Sequence, residues 1–392
     1  MQNNNESIVI VGARRTPIGA FNGALSSCSA PELGAVAIGA AVGQAGVAPA
    51  SVDEAIMGLC LFAGVGQAPA RQAVLRAGLP TTTPATTISK MCGSGMKAVM
   101  LAHDLLLAGT CNVAVAGGME SMTNAPHIVP RGRQGYRLGH GQLLDHMYRD
   151  GLEDAYEGHL MGYYADLAAE AHNIGREAQD AYARESLLRA QASVAEGRFR
   201  DEIAPVPLKR GAEFAEDETP GQCDADKLPK LRAVFRDGGT VTPGNASSIS
   251  DGAAALVLMR ESDAVRQRLK PLARIVAHAT RANPPQQFAE APVHASRRVL
   301  DKAGWTTQDV DLYEINEAFA VVSMIAMAQL GISPERLNVN GGACALGHPV
   351  GASGARLLVT LIHALQQRGM KRGLASLCLG GGEAVAMGLE LC

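Results

Sequence analysis

Val52-Asp-Glu-Ala-Ile-Met-Gly58 has a counterpart in the last third of the chain, Val310-Asp-Leu-Tyr-Glu-Ile-Asn316. Each is a mainly apolar run of strand length, and the same succession of elements surrounds both. Around the first run, the periodicity predicts strand Ser7–Ala13, helix Pro31–Gly46, strand Val52–Cys60, helix Gln67–Gly78, strand Pro84–Lys90, helix Gly93–Gly109 and strand Val113–Ala116. Around the second it predicts strand Ala273–Ala279, helix Pro292–Gly304, strand Val310–Ile315, helix Ala318–Gly331, strand Asn338–Gly341, helix Gly351–Gly369 and strand Gly373–Cys378. Cys92-Gly-Ser-Gly95 and Gly351-Ala-Ser-Gly354 each open a long helix, and Gly117-Gly-Met-Glu120 and Gly380-Gly-Gly-Glu383 each follow a strand. The expected fold is a duplicated α/β structure, two similar, mostly parallel layers packed against each other.

The segment between the repeats differs in texture. It carries a helix over Arg176–Gly197 and a Pro- and charge-rich stretch, Ala204–Lys230, expected as exposed loop. Asn245–Met259 returns to strand character and is expected to rejoin the N-terminal sheet. The division is then residues 1–120 as an N-terminal half completed by 245–270, 121–244 as an inserted loop domain that builds a ligand site, and 271–392 as a C-terminal half.

Composition narrows the function. A net charge of −3 gives no electrostatic drive toward nucleic acid or an anionic membrane, and 4% aromatic residues argue against base stacking. No apolar run has membrane-spanning length, and Met1–Ser7 has neither the basic start nor the apolar stretch of a signal peptide, so a cytoplasmic protein is expected. The eight cysteines contain no C-x-x-C pair and are expected as thiols, most of them buried, without zinc.

Four residues stand where an open α/β sheet places chemistry, at the carboxyl ends of strands or the starts of the following helices: Cys92, Asn316, His348 and Cys378. Cys92 precedes a helix whose unpaired N–H groups should ease loss of its proton. His348 lies in Asn340-Gly-Gly-Ala-Cys-Ala-Leu-Gly-His348-Pro-Val-Gly-Ala-Ser-Gly354, where the glycines imply close approach to the backbone. A phosphate loop is disfavoured, because the segment lacks both the G-K-[ST] ending and the G-x-G-x-x-G spacing. The other nine histidines show no ligand spacing and read as structural or surface residues.

Cys92-Gly-Ser-Gly, Gly117-Gly-Met-Glu-Ser-Met122, Gly244-Asn-Ala-Ser247, Asn316-Glu-Ala-Phe, Gly347-His-Pro-Val-Gly-Ala-Ser-Gly354 and Cys378-Leu-Gly-Gly-Gly382 together resemble the thiolase family over essentially the whole chain. The nearest flavour is that of the acetoacetyl-CoA thiolases, or acetyl-CoA C-acetyltransferases. The resemblance implies a layered αβαβα fold, a homotetramer built from dimers, acyl-CoA substrates, and no metal or permanently bound cofactor. It assigns Cys92 as the acyl-accepting nucleophile, His348 as its base and Cys378 as the acid/base at the second acetyl-CoA. Asn316 would hold a water for one oxyanion site, and the N–H groups of Cys92 and Gly380 would form another. For coenzyme A it implies Ser247 at the pantetheine, Met161, Phe235, Ala318 and Phe319 along a tunnel, and Lys227 and Leu231 near the nucleotide.

Around Pro220–Gly221 the arginine that many relatives place near adenine is missing, and two further positions, near the acyl end, depart from the family pattern. Leu160 interrupts the usual His-Met-Gly, and Phe288 stands where acetoacetyl-CoA-specific members commonly carry Met. Together they imply tolerance of a 2-methyl branch. A decarboxylating ketoacyl synthase shares this fold but needs a second histidine at the slot of Asn316. A broad-chain degradative thiolase and a non-catalytic acyl-CoA-binding relative are the other readings, the latter opposed by retention of Cys92, His348 and Cys378.

Overall fold

The computed structural model describes residues 6–392, so most of the Met1–Ser7 reading lies outside the described residues. Ten strands form one hydrogen-bonded sheet. They are β1 (Ile8–Arg15), β2 (Gly19–Ala20), β3 (Glu54–Gly58), β4 (Ala85–Ile88), β5 (Val113–Ser121), β6 (Ser250–Arg260), β7 (Ala273–Ala282), β8 (Leu312–Ile315), β9 (Arg372–Leu379) and β10 (Glu383–Leu391). Their order is β8-β9-β10-β7-β1-β6-β5-β3-β4, with β2 paired to β6. The repeat is visible in this order: β3, β5, β6 and β1 correspond to β8, β9, β10 and β7. The halves meet where β7 pairs β1 through Val9–Arg274 and Ile10–Ala273 alone.

The main helices are α1 (Ala30–Ala45), α2 (Pro69–Arg76), α3 (Ser94–Leu107), α4 (Met161–Ala171), α5 (Arg176–Ala195), α6 (Ala291–Ala303), α7 (Ala320–Leu330) and α8 (Ser353–Arg368). Strand alternation sends Ile10, Leu256 and Leu258 to the inner face and Val9 and Val257 to the outer one. Met96 and Val99 of α3 and Leu358 and Leu361 of α8 share the inner core with Leu377 and Met387 of the C-terminal half. Helices α1 and α2 cover the outer face of the N-terminal half, and α6 and α7 that of the other. Five layers result, helix–sheet–helix–sheet–helix, the duplicated arrangement expected. Burial of both faces explains strands that read as nearly continuous apolar runs.

Several expectations are corrected. The sheet is mixed rather than mostly parallel: β3 pairs β4 and β5 in parallel, as β8 does β9, while every other main-sheet pairing is antiparallel. The cause is two returning strands, β6 and the unforeseen β10, which fold back beside β5 and β9. Asn338–Gly341 is a turn, although it occupies the place that β4 has in the first repeat. There the Asn338 amide accepts from the Ile315 N–H at 2.9 Å and donates to the Ile315 carbonyl at 2.9 Å. One side chain thus satisfies the edge that a strand would otherwise cover. Ala204–Lys230 is not simply exposed loop, since Asp217 is buried on the Arg15 guanidinium at 2.7 and 2.8 Å. All eight cysteines are free thiols, but only four are buried, so burial is not the rule expected of them.

The glycines near His348 and Cys92 serve the molecule's own backbone. A Cβ on Gly118 of β5 would stand 2.0 Å from the Gly351 carbonyl oxygen, and one on Gly95 of α3 would stand 2.9 Å from the Ala355 nitrogen. This packing brings the starts of α3 and α8 together, and with them Cys92 and His348.

Candidate active site

Cys92 occupies the turn between β4 and α3. Met91 before it has φ 45°, a left-handed conformation that costs a non-glycine residue energy and persists only when its surroundings impose it. Ser94 imposes it: its hydroxyl donates to the Met91 carbonyl at 2.7 Å and accepts from the Lys90 N–H at 2.8 Å. The turn turns the Cys92 sulfur toward the N–H groups of Gly380 and of Cys92 itself. Burial nevertheless dominates and pushes this thiol up to about 11, with those N–H groups pulling it down and the Glu120 carboxylate adding a smaller upward push. The expected easing of deprotonation by the helix start is therefore outweighed, and Cys92 rests as a thiol that needs a base.

His348 borders the same cavity as Cys92. Its Nδ1 lies 2.5 Å from the Ser353 Oγ, which donates its single hydrogen to the Pro349 carbonyl at 2.9 Å. Ser353 can then only accept, so Nδ1 carries the imidazole proton and Nε2 offers a lone pair. Burial, reinforced by the Arg356 cation, pulls His348 down to about 3, keeping the ring neutral. Nε2 faces the Asn316 Nδ2 at 3.4 Å, while the Asn316 Oδ1 lies 3.5 Å from an Arg356 nitrogen, which fixes the amide's orientation.

Cys378 lies near the end of β9, buried, its thiol pushed well above its ordinary value by burial and then by the neighbouring Cys92. Gly380 follows in the turn to β10. Cys92, His348, Cys378 and Gly380 border one mainly apolar cavity of about 350 Å³. Ser247, Met161, Phe235, Ala318 and Phe319 line it as well. The stretch just after the inserted segment is seated there by the Ser247 N–H, which donates to the Ala318 carbonyl at 3.0 Å. Asn316 stands behind His348, and Lys227 and Leu231 lie outside the cavity walls. Lys227 is exposed, 3.5 Å from Asp224, and the Leu231 carbonyl accepts from Arg176 at 2.7 Å.

Tyr148, Leu152, Val234, Ile249 and Val350, which no sequence pattern marks, also belong to the apolar wall. They come largely from irregular segments with no periodicity to mark them. Sequence reasoning overlooked Glu120, the last residue of Gly117-Gly-Met-Glu. Buried in β5, Glu120 accepts the N–H groups of Cys60, Leu61 and Gly351 at 3.0, 3.1 and 2.8 Å, tying the loop after β3 and the turn that carries His348 to one carboxylate.

The sequence matches "Thiolase, N-terminal domain" over residues 8–262 and "Thiolase, C-terminal domain" over residues 269–391. The chain belongs to the thiolase family. A relative from Chromobacterium violaceum named acetyl-CoA acetyltransferase is 50% identical over 98% of this chain and 99% of its own length. Proteins of that name from Escherichia coli K12 and Schizosaccharomyces pombe are 49% and 45% identical, again over 98% of this chain and 99% of theirs. In this thiolase the two positions near the acyl end that depart from the family pattern both reach the cavity: Leu160 at the start of α4, and Phe288, which is 2% exposed. Phe319 contacts Phe288 and Phe235 edge to face, at 6.1 and 6.0 Å between ring centroids. Three aromatic rings thus give the thiolase cavity a preformed wall.

Proposed function

We propose that the chain is an acetyl-CoA C-acetyltransferase, joining two acetyl-CoA to acetoacetyl-CoA and free CoA, and cleaving it in reverse, through an acetyl-Cys92 intermediate. The observation that carries the reading is the meeting of two thiols, a neutral imidazole whose Nε2 bears the lone pair, and the Gly380 N–H around one apolar cavity.

In this reading His348 Nε2 takes the Cys92 proton as the sulfur attacks the first thioester carbonyl. The C–S bond to CoA breaks, and the leaving thiolate takes the proton of Cys378. The Cys378 thiolate then removes a methyl proton from the second acetyl-CoA. Its raised affinity for a proton, set by burial, is the property a base for so weak an acid requires. The carbanion attacks the acetyl group, Cys92 leaves and regains its proton from His348, and both thiols are restored. Asn316 with a bound water serves one thioester oxygen, the N–H groups of Cys92 and Gly380 the other.

Coenzyme A runs past Ser247, Met161, Phe235, Ala318 and Phe319, with Lys227 and Leu231 toward its nucleotide end. Eight free thiols suit a reducing cytoplasm, and among the described residues no helix is long and apolar enough to cross a membrane. A homotetramer belongs to the same reading. Leu138 and Leu143 of the insertion, 96% and 64% exposed, are apolar surface that a partner would cover. The test is loss of the magnesium-enolate absorbance of acetoacetyl-CoA on adding CoA, paired with acetoacetyl-CoA formation from acetyl-CoA alone. A folded protein that does neither is not this enzyme.

A further inference from the structure

On the seam between the two halves, away from the cavity just described, three potential ligands converge. His103 and Asp104 belong to the second half of α3, and His278 to β7. His103 Nδ1, Asp104 Oδ1 and His278 Nε2 form a triangle with every side 3.1 Å. The imidazole rings stand at 89° to one another, with centroids 4.8 Å apart. Both histidine side chains are largely buried, at 14% and 15% exposure, while Asp104 is 55% exposed and leaves one side open to water.

Three such contacts cannot all be hydrogen bonds. With neutral rings the triangle contains at most two hydrogens, one on each facing nitrogen. If both are present and aimed at Asp104, the third side sets N–H against N–H. If either nitrogen is bare, one hydrogen must serve two acceptors that repel each other. A single cation above the triangle satisfies all three atoms at once. A point about 2.1 Å from each corner lies about 1.1 Å out of their plane, and metal-bound nitrogens and oxygens stand about 3.0 Å apart in octahedral sites and about 3.4 Å apart in tetrahedral ones. The observed side falls between the two. The ammonium of Lys302 donates to the His278 carbonyl at 2.9 Å, on the backbone rather than in the triangle.

We propose that His103, Asp104 and His278 form a divalent-metal site of the zinc class, with water in its remaining positions, that clips α3 of one half to β7 of the other. Two imidazoles and one carboxylate favour Zn²⁺, Co²⁺ or Ni²⁺ over Mg²⁺ or Ca²⁺, which prefer all-oxygen sets. The site lies outside the acyl-transfer machinery, so its effect falls on stability.

The experiment is titration of chelator-treated full-length protein with Co²⁺ and then Zn²⁺, followed by calorimetry, visible absorption and thermal melting. One equivalent of Co²⁺ per chain is expected, with visible d–d bands, displacement by Zn²⁺ and a higher melting midpoint. Asp104→Asn and His278→Gln should each weaken binding more than ~100-fold, beyond the ~10–100-fold that loss of an outer-shell partner costs. Each should also abolish the midpoint rise while leaving metal-free thiolysis unchanged. Asp104 is exposed enough that its variant keeps the test alive if His278→Gln does not fold. No saturable binding, a thiolate-to-cobalt charge-transfer band that marks cysteine ligation, or binding that survives both substitutions would overturn the site.

Discussion

At the scale of single residues, Cys92 and Cys378 are chemically alike and differ only in what surrounds them. Burial raises both thiols, but the N–H groups of Gly380 and Cys92 are directed at the first sulfur, whereas the second has only its own N–H and stands beside Cys92. Cys92→Ala should therefore abolish acyl transfer, and acetyl-CoA should label the wild type on Cys92. Peptide mapping that puts the acetyl group on Cys378 would reverse the assignment. Cys378→Ser should still acetylate yet lose at least ~10² in condensation, because a hydroxyl is too weak an acid to serve both proton transfers. His348 makes a pH prediction. Its folded pKa, about 3, lies below the ordinary 6.5, so the unfolded chain binds more protons between those values. Its contribution to stability is thus full above about 6.5 and is lost as pH falls toward 3, each pKa unit being worth about 1.4 kcal/mol. Glu120 and Glu314, raised by burial to about 7 and 8, act in the opposite sense, so the comparison must be with a variant. Urea melts at pH 7, 5.5 and 4 should show a smaller acid loss in His348→Asn than in the wild type. Equal slopes would mean that His348 is not held neutral by the fold.

At the scale of elements, the sequence made most strands and helices legible wherever a period governed burial, as in α3, α8 and β1. It also placed Cys92 and His348 shortly before helix starts and Cys378 near a strand end. Illegible were features whose partner is distant or not periodic: β10, which returns through a glycine turn, the Asn338 amide that replaces an edge strand, and the triangle joining residues 175 positions apart. The aromatic wall shows the same division. Phe288 stood out as a departure from the family pattern, but only the structure shows its ring edge-on to Phe319 inside the cavity. A flat ring locked in this way leaves space beside its face that a flexible Met would fill. Cleavage of 2-methylacetoacetyl-CoA is therefore expected, with acetoacetyl-CoA preferred over six-carbon and longer chains. Phe288→Met should reduce the branched activity several-fold, the effect of about 1 kcal/mol that one methyl contributes. Assays across a substrate series would decide it: no branched cleavage, together with 3-ketohexanoyl-CoA cleaved as fast as acetoacetyl-CoA, would show a cavity that is long rather than wide.

Across the whole molecule, one buried cation joins parts of the chain that the sheet alone does not connect. Arg15 at the end of β1 is fully buried, with its Nε 2.5 Å from Glu202 and its two terminal nitrogens 2.7 and 2.8 Å from Asp217. Asp217 also accepts the Ile18 N–H at 2.8 Å, and Glu202 accepts the Thr360 hydroxyl of α8 at 3.0 Å. The N-terminal half and the insertion thus meet at a single guanidinium, whose planar fork serves two carboxylates at once, and the C-terminal half joins the cluster through Glu202. The attraction largely offsets the cost of taking three charges out of water, so the cluster adds little net stability while intact. Removing the cation is different, because two carboxylates are left buried without a counter-charge. Arg15→Met should cost about 3–5 kcal/mol in a urea melt, far more than the lost packing of one side chain. The double change Arg15→Met with Asp217→Asn should recover part of that loss, since it removes one stranded charge. Since the insertion supplies Met161 and Phe235 to the cavity wall, Arg15→Met should also raise KM for the CoA substrate more than it lowers kcat. If the melt were unchanged, or the double variant no better than the single one, the cluster would not be what couples the insertion to the two halves.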